Sequence, residues 1–387
     1  MTASTPGSRG QADRCPGALT VHPAADGGLA RVRLPGGFVS AAQLGVLAAA
    51  ASELGDGRLE LTSRGNVQLR ALPDGAHLEL GERLADAGLL PSDSHERVRN
   101  IVASPLAGID TGRGLGDIVT GVDRALCAQP SLAELPGRFL IAVDDGRGDV
   151  ARLRADVTAV MAGDRVRVGE LGAPRRDAAT LIAAICQAFL DERTAQSSNA
   201  WRVAELDDGP SRVLRRAARG LAGAVSWTTD DVPRLPDPPA EPVGVIRQHD
   251  GAAALAVLAP LGRLGAGQLR LLAELAGRRG VRITPWRSVV IPDLADAVHV
   301  VAAIDSADRA GLGTSAASPW YRVSACAGQP GCAKALSDVQ KDARQSMRRW
   351  PGRQVHWSGC ERRCGRPVDT EVDLIATGAG YDVSVSG

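Results

Sequence analysis

A segment that occurs twice is the feature that most constrains the fold of this 387-residue chain. Gln43 and Gln268 each open a helix-like stretch with the shared pattern Q-L-x-x-L-A-x-x-A, and each stretch leads into a strand that carries Thr62 or Thr284. Sheet-like segments with turn glycines precede the two copies, at 18–37 and 243–263. Two β-turn-β, helix and strand units predict an internal duplication with pseudo-twofold symmetry, because a solenoid needs at least three repeats.

Composition and charge exclude several classes of protein. The chain is 44% hydrophobic and 23% charged, with a net charge of +1, so nothing favours a nucleic acid or an anionic membrane as partner. No run approaches the roughly 20 apolar residues of a membrane span, and residues 1–14 lack the apolar core of a signal peptide. We therefore expect a cytoplasmic protein. The proline-rich stretch 233–243 is typical of a linker between two halves.

Four of the seven cysteines are clustered near the C-terminus, and the other three are single. Four thiolates match the ligand count of an iron–sulfur cluster. Zinc remains an alternative, although its knuckles usually have two to four residues between cysteines. An odd total and a reducing compartment disfavour disulfides. The clustered cysteines, spaced C-x5-C and C-x3-C, are Cys326, Cys332, Cys360 and Cys364.

The neighbourhood of these cysteines carries three further expectations. A spacing of four predicts a helical turn that puts the sulfurs of Cys360 and Cys364 on one face. Residues 333–350 predict a longer helix between the pairs. His356 is the histidine nearest the motif, and we interpret it as a hydrogen-bonded strand residue.

Residues 59–70 alternate like a half-buried strand. One face is apolar, and the other carries guanidinium and amide groups that would suit an anionic, oxygen-rich ligand. A solvated strand face is the competing interpretation, since the same alternation is the ordinary pattern of such a strand. Arg99 and Arg138, taken singly, are typical of surface arginines. The candidate binding residues on the polar face are Arg64, Asn66, Gln68 and Arg70.

Four motifs, in a fixed order around the duplication, resemble the sulfite/nitrite reductase superfamily: LTSRGNVQLR, VRNIVASPLAG, LPGRFLIAV and the paired cysteines. Within it, DGGLARVRLPGG, TPWRSVVIPDL and SGCERRCGRP are similar to the oxygen-dependent branch that acts in aerobic cobalamin biosynthesis. The resemblance implies an α+β fold, with two ferredoxin-like half-domains in a pseudo-twofold core and two mixed α/β reductase-type domains. The implied boundaries are 15–75 and 240–300 for the half-domains, and 90–230 and 305–387 for the reductase-type domains.

The resemblance also implies cofactors and a binding set. The four cysteines would hold a [4Fe–4S] cluster, and in sirohaem reductases the last of them, here Cys364, also bridges to the haem iron. The anion-binding positions of those reductases map onto Arg64, Arg99, Arg138 and Leu140. Leu140 cannot carry charge, which argues against reduction of sulfite or nitrite, because that reaction depends on a dense cationic pocket.

The favoured hypothesis is therefore that the chain resembles the oxygen-dependent branch more than the sirohaem reductases. It implies hydroxylation of the tetrapyrrole precorrin-3A at C20 by O2, with closure of the ring A γ-lactone. An additional mononuclear iron, whose ligands the sequence does not reveal, and an external electron donor are implied as well. A sirohaem reductase, with sirohaem in the tetrapyrrole cavity, and a non-catalytic iron–sulfur carrier or zinc protein remain alternatives. The internal duplication favours a monomer.

Overall fold

The structure, a computed structural model, describes residues 13–221, 226–227, 235–237 and 240–386, so parts of the expected linker and most of the N-terminal segment lie outside the described residues. The strands are β1 (His22–Ala24), β2 (Gly27–Val32), β3 (Phe38–Val39), β4 (Arg58–Leu61), β5 (Val67–Leu72), β6 (Ile101–Ala103), β7 (Ile141–Asp144), β8 (Val157–Ala162), β9 (Arg165–Val168), β10 (Leu171–Pro174), β11 (Ser226–Trp227), β12 (Gly244–Arg247), β13 (Ala253–Leu258), β14 (Arg263–Gly265), β15 (Val281–Ile283), β16 (Ser288–Leu294), β17 (Val323–Ala325), β18 (Val355–Ser358), β19 (Val372–Ala376) and β20 (Tyr381–Val385). The helices are α1 (Ala41–Leu54), α2 (Ala76–Asp86), α3 (Gly116–Cys127), α4 (Ala178–Ala195), α5 (Gly209–Gly220), α6 (Ala266–Leu275), α7 (Ala297–Arg309) and α8 (Val339–Ser346).

The two sequence copies form two antiparallel sheets that exchange a strand. Their orders are β1-β2-β5-β4-β14 and β12-β13-β16-β15-β3. Strand β14 of the second copy pairs with β4 of the first, where Leu264 lies opposite Leu59. Strand β3 of the first copy pairs with β15 of the second, where Val281 lies opposite Val39. Each copy therefore completes the sheet of the other, which confirms the duplicated pseudo-twofold fold.

The glutamine shared by the two copies explains why the repeat is visible in the sequence. The side-chain oxygen of Gln43 accepts a hydrogen bond from the N–H of Ser40 at the start of α1, and Gln268 accepts one from Gly265 at the start of α6. Each amide then donates to a carbonyl just after the next helix, that of Ala87 after α2 or of Ala310 after α7. One side chain thus caps one helix and fixes the end of another, in both copies.

A single hydrophobic core joins the two sheets. Helices α1 and α6 pack against each other, and fully buried leucines and valines from both copies meet between the sheets. Leu47 and Leu272, on the two helices, are both 0% exposed. Since neither copy buries its apolar face alone, the two copies are expected to fold together.

The predicted strand over residues 59–70 is a hairpin instead. β4 and β5 pair antiparallel with Leu61 opposite Val67, and residues 62–66 form the turn. The N–H of Thr62 donates to the carbonyl of Asn66 at 2.9 Å. Positions 61 and 67 have the same parity, so the apolar face continues across the turn and imitates one strand.

Two further sheets complete the fold. The six-stranded sheet has the order β11-β10-β9-β8-β7-β6, and it packs against α3, α4 and α5 over one large core. The four-stranded sheet has the order β17-β18-β19-β20, with β17, β18 and β19 parallel. Helix α8 is shorter than the helix predicted over 333–350, since turns occupy both of its flanks. None of the helices in the described ranges is long and apolar enough to cross a membrane.

Candidate functional site

The two cysteine pairs meet at one edge of the four-stranded sheet. Cys326 directly follows β17, and Cys360 follows β18 by two residues. Because β17 and β18 are parallel neighbours, their carboxyl ends lie at the same edge. The N–H of Cys326 donates to the carbonyl of Trp357 at 2.9 Å, and the N–H of Gly359 donates to the Sγ of Cys326 at 3.1 Å. The first cysteine is thus in direct contact with the turn that carries the third.

The loop of Cys332 is fastened to the same turn. The N–H of Cys332 donates to the carbonyl of Gly328, and the N–H of Leu336 donates to the carbonyl of Gly359 at 2.8 Å. The contact is close, since a Cβ at position 359 would lie 2.7 Å from the Cβ of Ala335. A glycine at 359 therefore lets the two cysteine-bearing segments approach each other.

The predicted helical turn over Cys360–Cys364 is wrong. These residues lie in consecutive turns, because Arg363 and Gly365 adopt left-handed backbone angles, with φ of 48° and 79°. The guanidinium of Arg363 pairs with Asp373 on β19 at 3.2 Å. The arrangement leaves Cys364 exposed, whereas the other three cysteines of the cluster are half-buried.

The surroundings of Cys326 suit a metal-bound thiolate. Burial raises the pKa of its thiol, and the nearby Cys364 and Cys332 raise it further, whereas the N–H groups of Gly359 and Gly328 lower it. Mutual repulsion of thiolates falls when a cation neutralises them, and N–H donors to sulfur are a usual means of tuning iron–sulfur clusters. The donor set therefore fits a soft metal centre.

As placed, no group of three or more His, Cys, Asp or Glu side chains in the described ranges is arranged to hold a single metal ion. The ligands of a mononuclear iron therefore stay unassigned.

Arg70 fixes the cysteine loop to the first copy of the repeat. Its guanidinium makes two hydrogen bonds of 3.0 Å to Asp26 and one of 2.6 Å to the carbonyl of Gly331, next to Cys332. Arg70 is only 5% exposed, and a Cβ at 331 would lie 2.7 Å from its Nη2. The side chain of Arg70 therefore positions the loop that carries Cys332.

An arginine-lined cavity of about 530 Å³ opens beside β2 and the first hairpin. Arg64 and Arg138, both expected as binding residues, line it. Arg64 reaches toward the carbonyl of Gly137 at 3.5 Å, and the exposed Arg138 lies over the ring of Trp201 at 5.3 Å. The lining residues are Asp13, Arg14, Cys15, Pro16, His22, Leu29, Arg31, Arg64, Arg138 and Trp201.

Sequence reasoning missed two arginines on β2 and just after it, Arg31 and Arg33. Arg31 lines the cavity and donates to the side-chain oxygen of Gln68 at 2.9 Å. Arg33 is 2% exposed, and its Nη1 has no hydrogen-bond partner in the described part of the chain. Burial lowers the pKa of Arg33 to about 9, and repulsion by Arg31 and Arg64 contributes. The alternation of arginine with apolar residues in L-A-R-V-R-L was the available signal.

The electrostatics of this cavity suit an anionic ligand. Burial lowers the pKa of both Arg31 and Arg64, and each is further lowered by neighbouring guanidiniums, among them Arg138 for Arg31 and Arg202 for Arg64. Several like charges in a partly desolvated space repel one another, and a bound anion removes that repulsion.

Two expected binding residues with amide side chains point elsewhere. Asn66 is fully buried, accepts from the N–H of Leu34 at 2.9 Å and donates to Asn100. Gln68 holds Arg31 and donates to Glu60 at 3.1 Å. These amides therefore position the cavity wall and do not line the cavity.

Arg99 is also absent from the cavity lining. It forms a bidentate pair with Asp123, with distances of 2.7 and 2.8 Å, and donates to the carbonyl of Leu89. Its side chain is 4% exposed, so the pair fixes α3 to the segment before β6.

Leu140 lies in an apolar cluster. It is 4% exposed and packs with Val102, Ala142 and Val150, and Trp286, in the turn between β15 and β16, packs against the cluster. Any cationic side chain at position 140 would bury a charge among aliphatic side chains.

Comparison with known proteins agrees with this architecture. The profile of the family "Nitrite/Sulfite reductase ferredoxin-like half domain" matches residues 22–87 and 246–304. A precorrin-3B synthase of Sinorhizobium sp is 25% identical over 96% of this chain and 82% of its own length. The ferredoxin–nitrite reductase of Leptolyngbya laminosa is 26% identical over 90% of this chain and 76% of its own. The solved NirA protein of Mycobacterium tuberculosis has a TM-score of 0.73 at 22% identity, over 92% of this chain and 73% of that one.

The matched ranges coincide with the two strand-exchanging sheets and their helices. The relatives include oxidoreductases named for nitrite and sulfite reduction as well as the synthase. The chain carries two nitrite/sulfite reductase ferredoxin-like half-domains and has the fold of the proteins built from them.

Proposed function

We propose that this chain is a precorrin-3B synthase, an O2-dependent monooxygenase that hydroxylates precorrin-3A at C20 and forms the ring A γ-lactone. The observation that carries the proposal is an arginine-lined cavity that lacks the full cation set of the reductases. Arg31, Arg64 and Arg138 present guanidinium groups to the space, and their mutual repulsion favours a ligand with several carboxylates. Precorrin-3A is such a ligand.

Two positions weigh against sulfite or nitrite reduction. Leu140 is embedded among aliphatic side chains, and Arg99 is paired with Asp123 away from the cavity. Stabilising a small oxyanion while several protons are delivered would need cations at both positions. A large polycarboxylate instead needs separated guanidiniums at its periphery, which the cavity offers.

The proposed reaction determines how many electrons and protons the site must receive. One atom of O2 enters the product and the other leaves as water, so the reaction consumes two electrons and two protons. A [4Fe–4S] cluster held by Cys326, Cys332, Cys360 and Cys364 would supply electrons singly from an external donor. Around it, Arg70 fixes the Cys332 loop and Gly359 donates to the Cys326 sulfur. These contacts would hold the thiolates in place with or without substrate.

A sirohaem-dependent reductase is the second candidate, because the nitrite reductase relatives are as similar to this chain as the synthase. A non-catalytic iron–sulfur or zinc protein is disfavoured by the arginine-lined cavity, which such a protein would not need.

Purification without oxygen, followed by metal, sulfide and cofactor analysis, separates these candidates. The synthase predicts iron and acid-labile sulfide, a broad visible absorption that reductant bleaches, and no extractable sirohaem. Incubation with precorrin-3A and 18O2 should then label the product with one oxygen atom. Sirohaem absorption together with reduction of nitrite or sulfite would refute the proposal in favour of the reductase. Zinc without iron would refute both.

A further inference from the structure

The two copies of the repeat end in hairpins with the same hydrogen bonds. The N–H of Thr62 donates to the carbonyl of Asn66 at 2.9 Å, and the N–H of Thr284 donates to that of Ser288 at 2.9 Å. In both turns the threonine Oγ1 accepts from the N–H groups two and four residues later. The two tips are therefore matched position by position, and each serves as an internal reference for the other.

One matched position differs in a way that the backbone does not favour. The residue third after threonine is left-handed in both tips, Gly65 with φ of 66° and Arg287 with φ of 60°. Glycine adopts this conformation without steric cost, whereas arginine does so at the expense of stability. An unfavourable residue at a position that its own duplicate fills with glycine indicates that its side chain has a use.

The side chain of Arg287 runs to the turn that follows Cys364. It passes over Gly262, where a Cβ would lie 2.7 Å from its Cδ, and it ends beside Gly365, where a Cβ would lie 3.5 Å from its Nη2. The absence of side chains at Gly262 and Gly365 therefore leaves room for the side chain of Arg287. The first hairpin directs Arg64 into the arginine-lined cavity, and the second directs Arg287 to Gly365, the residue after the exposed Cys364.

The guanidinium of Arg287 is half-buried and free to bind an anion. Across the described ranges, no hydrogen bond or ion pair engages it. Burial lowers its pKa, and the carboxylates of Glu60 and Glu241 partly oppose that effect without pairing with it. A partly desolvated cation without a counterion is unfavourable, so a carboxylate that arrives here would be bound by a charge-assisted, bidentate contact.

We propose that Arg287 binds a carboxylate of the tetrapyrrole on the Cys364 side, as the counterpart of Arg64 on the other hairpin. The inference rests on the proposed function, because it takes the ligand to be a polycarboxylate tetrapyrrole. The competing anion at this place is the iron–sulfur cluster itself, whose charge Arg287 would then offset.

The test uses the cluster-containing protein and uroporphyrin, a stable octacarboxylate tetrapyrrole, as the probe. Binding is followed by fluorescence quenching for wild type, Arg287→Gly, Arg287→Lys and Arg270→Gln. The glycine variant removes the guanidinium and fits the left-handed backbone, so it should fold with unchanged or higher thermal stability. Arg270 on α6 is exposed and serves as the matched control for loss of one positive charge.

We expect Arg287→Gly to weaken uroporphyrin binding about tenfold or more, with Arg287→Lys intermediate and Arg270→Gln unchanged. The midpoint potential of the cluster is measured in the same four proteins, because removal of a nearby positive charge can lower it whether or not Arg287 binds the ligand. A lower potential in Arg287→Gly with unchanged binding would assign Arg287 to the cluster and overturn the proposal. Unchanged binding and potential would overturn it as well. Failure of the wild-type protein to bind uroporphyrin would reject the proposed function and, with it, this inference.

Discussion

Replacing Arg70 by methionine should destabilise the protein and loosen the cysteine loop. The substitution preserves much of the side-chain volume and removes three hydrogen bonds, two to Asp26 and one to the Gly331 carbonyl. The side chains of Arg70 and Asp26 are 6% and 13% exposed, so little of the effect is screened by solvent. Breaking such a pair typically costs 3–5 kcal/mol, and the partly exposed carboxylate points to the lower end, about 3 kcal/mol.

A double-mutant cycle would separate the two contacts of Arg70. Asp26→Asn alone leaves the bond to Gly331 in place, so we expect it to be less destabilising than Arg70→Met. In Arg70→Met/Asp26→Asn, part of the loss should be recovered, because no unpaired carboxylate remains. The measurement is the apparent free energy of unfolding in urea for the four proteins.

The same variants report on the loop through the rate at which a chelator removes iron. Arg70→Met should lose iron faster than Asp26→Asn, because only the first loses the bond to the residue before Cys332. If the two variants lose iron at the rate of wild type while Arg70→Met is destabilised, Arg70 supports the fold but does not position the cysteine loop. If Arg70→Met lowers the free energy of unfolding by less than about 1 kcal/mol, the pair of Arg70 and Asp26 contributes no more than an exposed salt bridge, and the reasoning is refuted.

Three further predictions concern the rest of the site. Serine at any one of Cys326, Cys332, Cys360 or Cys364 should reduce iron and sulfide content, whereas Cys127→Ser should not, as measured on anaerobically purified protein. Arg64→Gln should weaken tetrapyrrole binding by about 2 kcal/mol and leave the cluster absorption intact, and unchanged binding in a titration would remove Arg64 from the site. Burial lowers the pKa of His356 to about 4, with Asp373 opposing and Arg287 adding to the effect. The folded state therefore binds this proton less well than the unfolded chain does. As pH falls from about 6.5 to about 4, His356 should lower the free energy of unfolding by up to about 3 kcal/mol. In thermal unfolding, the wild type should lose more stability over this range than His356→Asn.

The duplication could be predicted from sequence because the features that reveal it are local. Gln43 and Gln268 cap a helix in each copy, and capping depends on a few neighbouring residues. The exchange of β3 and β14 was not visible, since both strands are two or three residues long and their partners lie in the other copy. Sequence periodicity describes which face a residue occupies and gives no information on such distant pairing.

The meeting of the two cysteine pairs was predictable from the sequence, whereas their local geometry was not. The cysteine spacing indicated a common centre, but the left-handed Arg363 turned the expected helical turn into consecutive turns. His356 was interpreted as a satisfied strand histidine. Its Nδ1 does share a hydrogen bond with Ser324 at 2.8 Å, yet its Nε2 is buried without a partner in the described part of the chain. Satisfaction of both ring nitrogens depends on side chains from other strands, which one sequence does not place.

The alternating pattern of residues 59–70 also did not reveal which arginines face the cavity. In the hairpin of β4 and β5, Gln68 and Arg70 share a face with Arg64 by parity, yet the turn directs Arg64 to the cavity while β5 directs Arg70 to the cysteine loop. The intervening contacts form a path from Arg31 through Gln68 and Glu60, which lies 4.0 Å from Arg70.

The duplicated scaffold gives two equivalent hairpin tips, whereas the four clustered cysteines all belong to the second half of the chain, so the surroundings of the two tips differ. The first keeps glycine at its left-handed position and presents Arg64 one residue earlier. In the second, Trp286 occupies the matched place of Arg64 and covers the apolar cluster of Leu140, while arginine replaces the glycine. The second tip therefore packs an apolar side chain against the Leu140 cluster and, one residue later, places a cation beside Gly365, the residue after Cys364. Under the proposed function, the cation at 287 is available to a carboxylate of the tetrapyrrole, and position 140 lacks the cation that reduction of sulfite or nitrite would need.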